Sequence, residues 1–366
     1  MPDEMAAEML KADDDIRIEK RGRLGLISLN RGRALNALNL DMVQALLRAL
    51  NAWRDDDEVA HVAIRSLDEK AFSAGGDLHR LWEAGFWAKS EGGPLPLTFF
   101  QEEYRLNHLI KTYPKPYIAL LDGIVMGGGF GISVHGSVRL AGERISFAMP
   151  EVGIGFFPDV GATHFLPRLP CSTGTFLALT GSRIGRDDCL WSGVATHAVP
   201  GRSFDALIDE LAREDDHRQV IERYAQAKGE LRSGLADDAE QIDSVFSATS
   251  IAEIRSRLAD RPEWERGQKA LQAIARMSPT SLAIALCQMR LGLQMDFAEA
   301  MRLEYRIVNR ILAGEDFYEG VRAQLIDKDH APRWHPADLA DVQETEINAY
   351  FAPLEEELAL SGDRDE

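Results

Sequence analysis

Three glycines in a row, Gly127, Gly128 and Gly129, separate an apolar run from a segment able to open a helix. Few features restrict a fold as tightly. Glycine adopts backbone angles closed to other residues and lets a second backbone or a ligand come close. At a strand-to-helix junction it also leaves amide N–H groups unpaired at the helix N-terminus, where negative charge is favoured. The preceding Tyr117–Leu121 follows Pro114-Lys-Pro116 and reads as a buried strand. Phe130 to His135 reads as the start of the helix. Such a junction suits a phosphate or an oxyanion. Two carboxylates, Glu151 and Asp159, follow among apolar residues and glycines, in Met-Pro-Glu-Val-Gly and Phe-Phe-Pro-Asp-Val-Gly. Carboxylates in that company are either paired or shifted in proton affinity for acid–base or nucleophilic work.

The flanks supply the frame. Ile16 to Leu29 partly alternates around Gly22 and Gly25, which predicts two strands and a turn. Arg31 to Leu38 reads as a loop. Asn39 is placed to cap a helix through about Trp53, with Met42, Leu46, Leu47 and Leu50 at helical spacing. A strand over Val59–Leu67, a turn over Ala71–Asp77, a glycine-rich aromatic loop over Gly85–Pro96 and a helix over Thr98–Thr112 follow. Asp77 is placed to cap the segment after its turn. Strand, helix, strand, helix, strand predicts an α/β layered core. Beyond the central stretch come a short helix over Ser172–Gly181 and a short strand over Ala195–Val199. From Ser203 the pattern becomes helices only, over 203–230, 237–260, 263–276, 279–293 and 296–312. This divides the chain into a core of residues 15–200 and a helical region of 201–345, with the boundary near Pro200-Gly201. Residues 1–14 and 352–366 are expected to be flexible tails.

Charge narrows the partners. Lys and Arg number 41 against 59 Asp and Glu, a net charge of −18, which disfavours a general nucleic-acid or anionic-membrane binder. A local cluster of basic residues would still accept a small anion. The three cysteines, Cys171, Cys189 and Cys287, form no CxxC and no disulfide framework. The nine histidines, His79, His135, His164 and His197 among them, show no metal-ligand spacing, and no Gly-x-Ser-x-Gly elbow supports a serine triad. The N-terminus is acidic and resembles neither a signal peptide nor an arginine-rich transit peptide, so the cytoplasm is the default expectation. No apolar run approaches the length of a membrane span.

These residues carry a family resemblance. Met-Gly-Gly-Gly, Ala-Met-Pro-Glu, Gly-Phe-Phe-Pro-Asp-Val-Gly and Phe-Leu-Pro-Arg-Leu resemble the enoyl-CoA hydratase/isomerase (crotonase) superfamily, in particular its 3-hydroxyisobutyryl-CoA hydrolase branch. Ser278-Pro-Thr-Ser, Glu304-Tyr-Arg and the segment Asp316–Asp329 also look like that branch. The resemblance spans about Ile16 to Asp341. It implies an α/β, crotonase-like (ClpP/crotonase) spiral of ββα turns followed by a helical C-terminal region. It further implies an enzyme acting on a short acyl-CoA, with no cofactor beyond the CoA carried by the substrate. In that family trimers and dimers of trimers are frequent, which leaves a homo-oligomer open.

The resemblance also assigns roles. Thioester chemistry needs two N–H groups aimed at the carbonyl oxygen, each worth about 3 kcal/mol or more of barrier. Gly76, in Ala74-Gly-Gly76, and Gly128 match those donors. Glu151 matches the catalytic carboxylate and Asp159 the second acid of the hydrolase branch. Without the resemblance, the plain alternatives are an exposed surface carboxylate for Glu151 and a helix cap for Asp159. Glu103 matches a glutamate near the acyl group, positioned to accept from a substrate hydroxyl; read alone, it is one face of a solvated helix. Ala37 and Leu38 match the segment whose backbone lines the CoA adenine, and Asp77 joins the substrate-binding set. Hydratases of the superfamily carry a second catalytic glutamate where this chain has Gly131, and glycine holds no proton. The expectation is therefore hydrolysis of a 3-hydroxyacyl-CoA, 3-hydroxyisobutyryl-CoA of valine breakdown first, with an enoyl-CoA isomerase or hydratase as the alternative.

Overall fold

The computed structural model describes residues 8–9, 14–226 and 232–360. Its strands are β1 Glu8–Met9, β2 Ile16–Arg21, β3 Leu24–Leu29, β4 His61–Ser66, β5 Ala71–Ser73, β6 Tyr117–Leu121, β7 Ile124–Met126, β8 Val138–Ala141, β9 Ser146–Ala148 and β10 His197–Ala198. The helices in the first two hundred residues are α1 Leu40–Arg54, α2 Leu78–Glu91, α3 Leu97–Lys111, α4 Gly128–Gly131, α5 Ala162–Phe165, α6 Thr173–Thr180 and α7 Arg186–Ser192. After them come α8 Phe204–Leu211, α9 His217–Tyr224, α10 Gly234–Asp237, α11 Ala239–Phe246, α12 Ile251–Ala259, α13 Glu265–Ile274, α14 Pro279–Gly292, α15 Phe297–Ala313, α16 Asp316–Val321 and α17 Glu344–Phe351. None of these helices is long and apolar enough to cross a membrane.

A seven-stranded sheet runs in the order β1-β2-β3-β4-β6-β8-β10, and β5, β7 and β9 form a second sheet of three. Three times in succession the chain lays one strand in the large sheet, the next in the small one, and then turns helical: β4-β5-α2, β6-β7-α4 and β8-β9-α5. This is the repeated ββα step. β2 and β3 are the antiparallel pair read around Gly22, with Ile16 opposite Leu29. From β3 onward the pairs are parallel. β3 and β6 are buried at every position, as parallel strands covered on both faces must be.

The chain divides into two compact units, each assembled from three stretches. Met1–Gly76, Arg105–Phe147 and Ile184–Ala236 make the first; Asp77–Tyr104, Ala148–Arg183 and Asp237–Glu366 make the second. The single boundary expected near Pro200-Gly201 is replaced by this interleaving. The reason is that α8 and α9 return to the large sheet, where Leu207, Ile208, Leu211, Val220 and Ile221 pack on Leu24, Leu26, Ala63, Ile118 and Leu140. Each such wholly buried aliphatic side chain contributes roughly 1.5–3 kcal/mol. In the second unit α14 packs on α5 and α6, and α15 on α5 and α17. Of the expected tails, 1–7, 10–13 and 361–366 lie outside the described residues. Within the second, Leu358 is wholly buried and Arg306 Nε donates to Glu357 at 2.8 Å, so that stretch packs instead of trailing.

Local chemistry explains the other differences. Asn39 caps α1, accepting from the Met42 N–H at 2.9 Å. Among the described residues the helix expected over 203–230 is two, because the Asp216 side chain accepts from the Arg218 and Gln219 N–H groups and starts α9 anew; residues 227–230 lie outside the described residues. The one expected over 237–260 breaks after Phe246, and Ser250 caps α12. The loop expected over Gly85–Pro96 is helical as far as Glu91. There Gly85 is a packing residue: a Cβ on it would overlap the Tyr318 hydroxyl of α16.

Candidate active site

The first unit holds the two glycine turns. Gly75 has φ +111° and Gly127 has φ +47°, angles that favour glycine. A Cβ built on Gly75 would sit 3.6 Å from the Gly128 nitrogen and 3.4 Å from Met126 O, so the two turns lie side by side. Gly128 is the first residue of α4, and its N–H therefore has no acceptor within the helix. Gly129 must be glycine for another reason: a side chain there would overlap Ser73 O of β5. Beside them runs the loop that carries Ala37 and Leu38. The Leu38 N–H donates to Gly75 O at 2.7 Å, and Leu38 bridges Gly76. Leu38 is wholly buried, and Ala37 beside it is partly exposed. Asn36 shapes this loop. Its side chain accepts from the Arg31 N–H and donates to Ser66 Oγ, Ala71 O and Phe72 O.

The second unit holds the acids. Glu103 lies on α3, Glu151 opens a helical turn directly after β9, and Asp159 stands in the turn before α5. All three are buried, at 2%, 6% and 5% exposure. The Tyr104 hydroxyl donates to Asp159 Oδ2 at 2.9 Å. Phenyl rings wall the group: Phe100 lies 5.7 Å from Phe156, Phe157 4.7 Å from Phe156, and Phe317 5.4 Å from Phe156. Among the described residues, Glu151 Oε2 and Glu103 Oε1 have no hydrogen-bond partner. Buried polar atoms are nearly always paired, so these two oxygens make Glu151 and Glu103 candidates to meet a polar ligand group. Asp77, expected to touch substrate, caps α2, accepting from the Arg80 N–H at 3.3 Å.

Burial sets the proton affinities. Desolvation, with the Asp159 charge added, pushes the Glu151 carboxyl well above the ordinary range, and does the same to Glu103. Burial also raises Asp159, while the bond from Tyr104 pulls it back. A fourth carboxyl, Glu304 on α15, is fully buried and pushed up to about 8 by desolvation and the Asp159 charge; N–H groups of Gly161 and Thr163 counteract this. Four carboxyls in one apolar setting do not all ionise near neutral pH. The group can therefore hold, release and take back protons there.

Sequence reasoning gave no role to Tyr104, Glu304 or Gln288, although Glu304-Tyr-Arg carries part of the resemblance. A signal for Glu304 exists. On α15 the buried stripe runs Phe297, Ala300, Met301, Glu304, Ile307, Val308, Ile311. Glu304 is the charged residue in an otherwise apolar stripe at helical spacing, and a charge there calls for a specific partner. Asp159 does not cap a helix: the residue preceding α5 is Gly161.

An α/β fold built from ββα steps, two adjacent glycine turns and a buried set of carboxyls define the class, and the chain belongs to the enoyl-CoA hydratase/isomerase family, whose profile matches residues 24–351. Among curated relatives, a protein of Danio rerio named "3-hydroxyisobutyryl-CoA hydrolase, mitochondrial" is 44% identical over 354 residues, 94% of this chain and 91% of the relative. Its Gallus gallus namesake is 42% identical over 348 residues, 93% of this chain and 89% of that one. Among solved structures, a carnitinyl-CoA dehydratase from Mycobacterium thermoresistibile superposes with a TM-score of 0.89 at 36% identity, covering 96% of this chain and 100% of that one. The cytoplasmic expectation is corrected by these relatives, whose names place them in mitochondria. That expectation rested on an N-terminus without a recognisable leader, and such an absence carries no information about compartment.

Proposed function

We propose that the chain hydrolyses the thioester of a short 3-hydroxyacyl-CoA, with 3-hydroxyisobutyryl-CoA as the first substrate to test. The observation that carries this is the buried Glu151 with an unpartnered oxygen, set near a second acid, Asp159, held by Tyr104. The curated relatives' names support the same reading. The Gly76 and Gly128 N–H groups hold the carbonyl oxygen as it becomes anionic. Two routes use Glu151. In one, its carboxylate attacks the carbonyl carbon, the C–S bond breaks, the thiolate takes a proton, and water cleaves the mixed anhydride. In the other, Glu151 takes a proton from water as that water attacks, and the proton passes to the departing sulfur. Asp159 orients the water or the acyl hydroxyl. Glu103, with its unpartnered oxygen, accepts from that hydroxyl. Ala37 and Leu38 line the CoA by backbone. Single-turnover hydrolysis in heavy-oxygen water separates the routes, since label in Glu151 requires the anhydride.

The reading uses no metal or redox group, and CoA enters as part of the substrate. Exhaustive chelation is expected to leave thiol release unchanged; a loss restored by one specific metal overturns this part. The M. thermoresistibile structure is named a carnitinyl-CoA dehydratase, which favours a second reading, addition or removal of water. Against it, Gly131 offers no second carboxylate after the glycine run. The expected outcome is a kcat/KM for 3-hydroxyisobutyryl-CoA hydrolysis far above that for crotonyl-CoA hydration. The reverse ratio rejects the hydrolase reading.

A further inference from the structure

The turn that carries Asp159 is strained and held from outside. The Ala162 N–H donates to Asp159 O at 3.0 Å, closing a four-residue turn. Its central residues, Val160 and Gly161, have φ +52° and +90°, both positive as in a type I′ turn. A β-branched valine disfavours that angle, and such strain persists where the surroundings over-determine the backbone. Here they do. Glu304 of α15 accepts from the Gly161 N–H at 2.7 Å with one oxygen and from the Thr163 N–H at 2.9 Å with the other. Gln288 of α14 donates to Pro158 O at 3.0 Å and to Thr163 Oγ1 at 2.8 Å. Gly292 lets α14 approach, since a Cβ there would overlap Thr163 O. The two convergent N–H donors each take a separate oxygen, an arrangement that a carboxyl group supplies.

We propose that Glu304 and Gln288 are positioning residues for the hydrolysis, a clamp by which the C-terminal helices hold the Asp159 turn in its strained form and aim the Asp159 carboxyl. This rests on the hydrolase reading of Asp159. The titratable groups around Asp159 are Glu103 and Tyr104 of α3, Glu151 beyond β9 and Glu304 of α15; Gln288 of α14 is neutral. Asp159 itself responds to burial, which raises its proton affinity, and to the Tyr104 hydroxyl, which lowers it, so a turn that slips away from Tyr104 leaves Asp159 holding its proton more tightly.

Glu304→Gln keeps the shape, loses one of two N–H acceptors and removes the charge. Gln288→Met keeps the shape and loses both donors without changing charge. Both variants are expected to lower kcat about tenfold to a hundredfold, the scale of a small misplacement of a catalytic group, with KM little changed. Both variants are also expected to move the acid limb of the kcat profile to higher pH, because a loosened turn weakens the bond from Tyr104 that favours ionised Asp159. Unchanged kcat and pH profile in two folded variants, with only the melting temperature lowered, overturns the proposal. The Asp159 carboxyl is also titrated directly by difference infrared spectroscopy, with Asp159→Asn identifying its band. Loosening the turn in either variant shifts that titration to higher pH whether or not the wild type releases thiol, so failure of the clamp and failure of the hydrolase reading give different results. If Glu304→Gln does not fold, Glu304→Asp, one methylene too short, is expected to lower kcat while leaving KM near wild type.

Discussion

Glu151 and Asp159 differ less in chemistry than in what surrounds them. Glu151 keeps an oxygen without a partner, whereas Asp159 receives the Tyr104 hydroxyl. Glu151→Gln and Asp159→Asn keep shape and remove charge, and each is expected to lower thiol release by at least about a hundredfold in a chain that stays folded. Near-normal turnover in a folded variant removes that residue from the mechanism. Tyr104→Phe tests the environment itself. Its hydroxyl favours the ionised form of Asp159, so losing it raises the proton affinity of that carboxyl and moves the acid limb of the rate profile to higher pH. Movement the other way shows that Tyr104 does not act through Asp159. Both carboxylates stand out in the sequence because they sit among glycines and aromatics. Tyr104 does not, because a tyrosine on an amphipathic helix is ordinary until the fold brings it to residue 159.

At the scale of elements, local chemistry was readable and close approach was not. Asn39 before an apolar periodic run announced α1, and Tyr117–Leu121 announced β6. Gly85 looked like a loop residue, yet it lies inside α2 because α16 passes against it. Gly85→Ala therefore tests packing. A methyl group there displaces the Tyr318 hydroxyl from Leu312 O, to which it donates at 2.8 Å. The expected cost is about 1–3 kcal/mol, as for overpacking elsewhere, read as a lower denaturation midpoint. A midpoint equal to or above wild type means that the helix interior tolerates the methyl and that glycine is not required. The splits after α8 and α11 belong here too. Asp216 and Ser250 are capping residue types, but whether such a residue caps or stays inside a longer helix depends on how the segments pack.

For the whole molecule, the buried carboxyls tie stability to pH. A carboxyl whose proton affinity is raised on folding binds its proton more tightly in the native chain, so stability is greatest at low pH and falls as pH rises. For Glu304 the window runs from its ordinary value of 4.5 to about 8. Glu151, Glu103 and Asp159 act in the same direction. The denaturation midpoint is expected to fall across that window, and to fall less in Glu304→Gln; an equal slope in the variant removes Glu304 as a source. The sequence by itself determined the α/β order, the strands β2, β3, β4 and β6, the caps at Asn39 and Asp77, the two glycine turns and the carboxylates after them. Each of these depends on residues within a few positions of one another, where backbone sterics and short-range hydrogen bonds decide the outcome. Only the tertiary structure decided that α8 and α9 return to the sheet, that Gly85 serves a helix crossing, and that Glu304 reaches back to Gly161 and Thr163. Those outcomes depend on apolar surfaces and buried hydrogen-bond partners far apart in the chain. A linear sequence shows that such a surface or charge must be satisfied, but not which distant residue satisfies it.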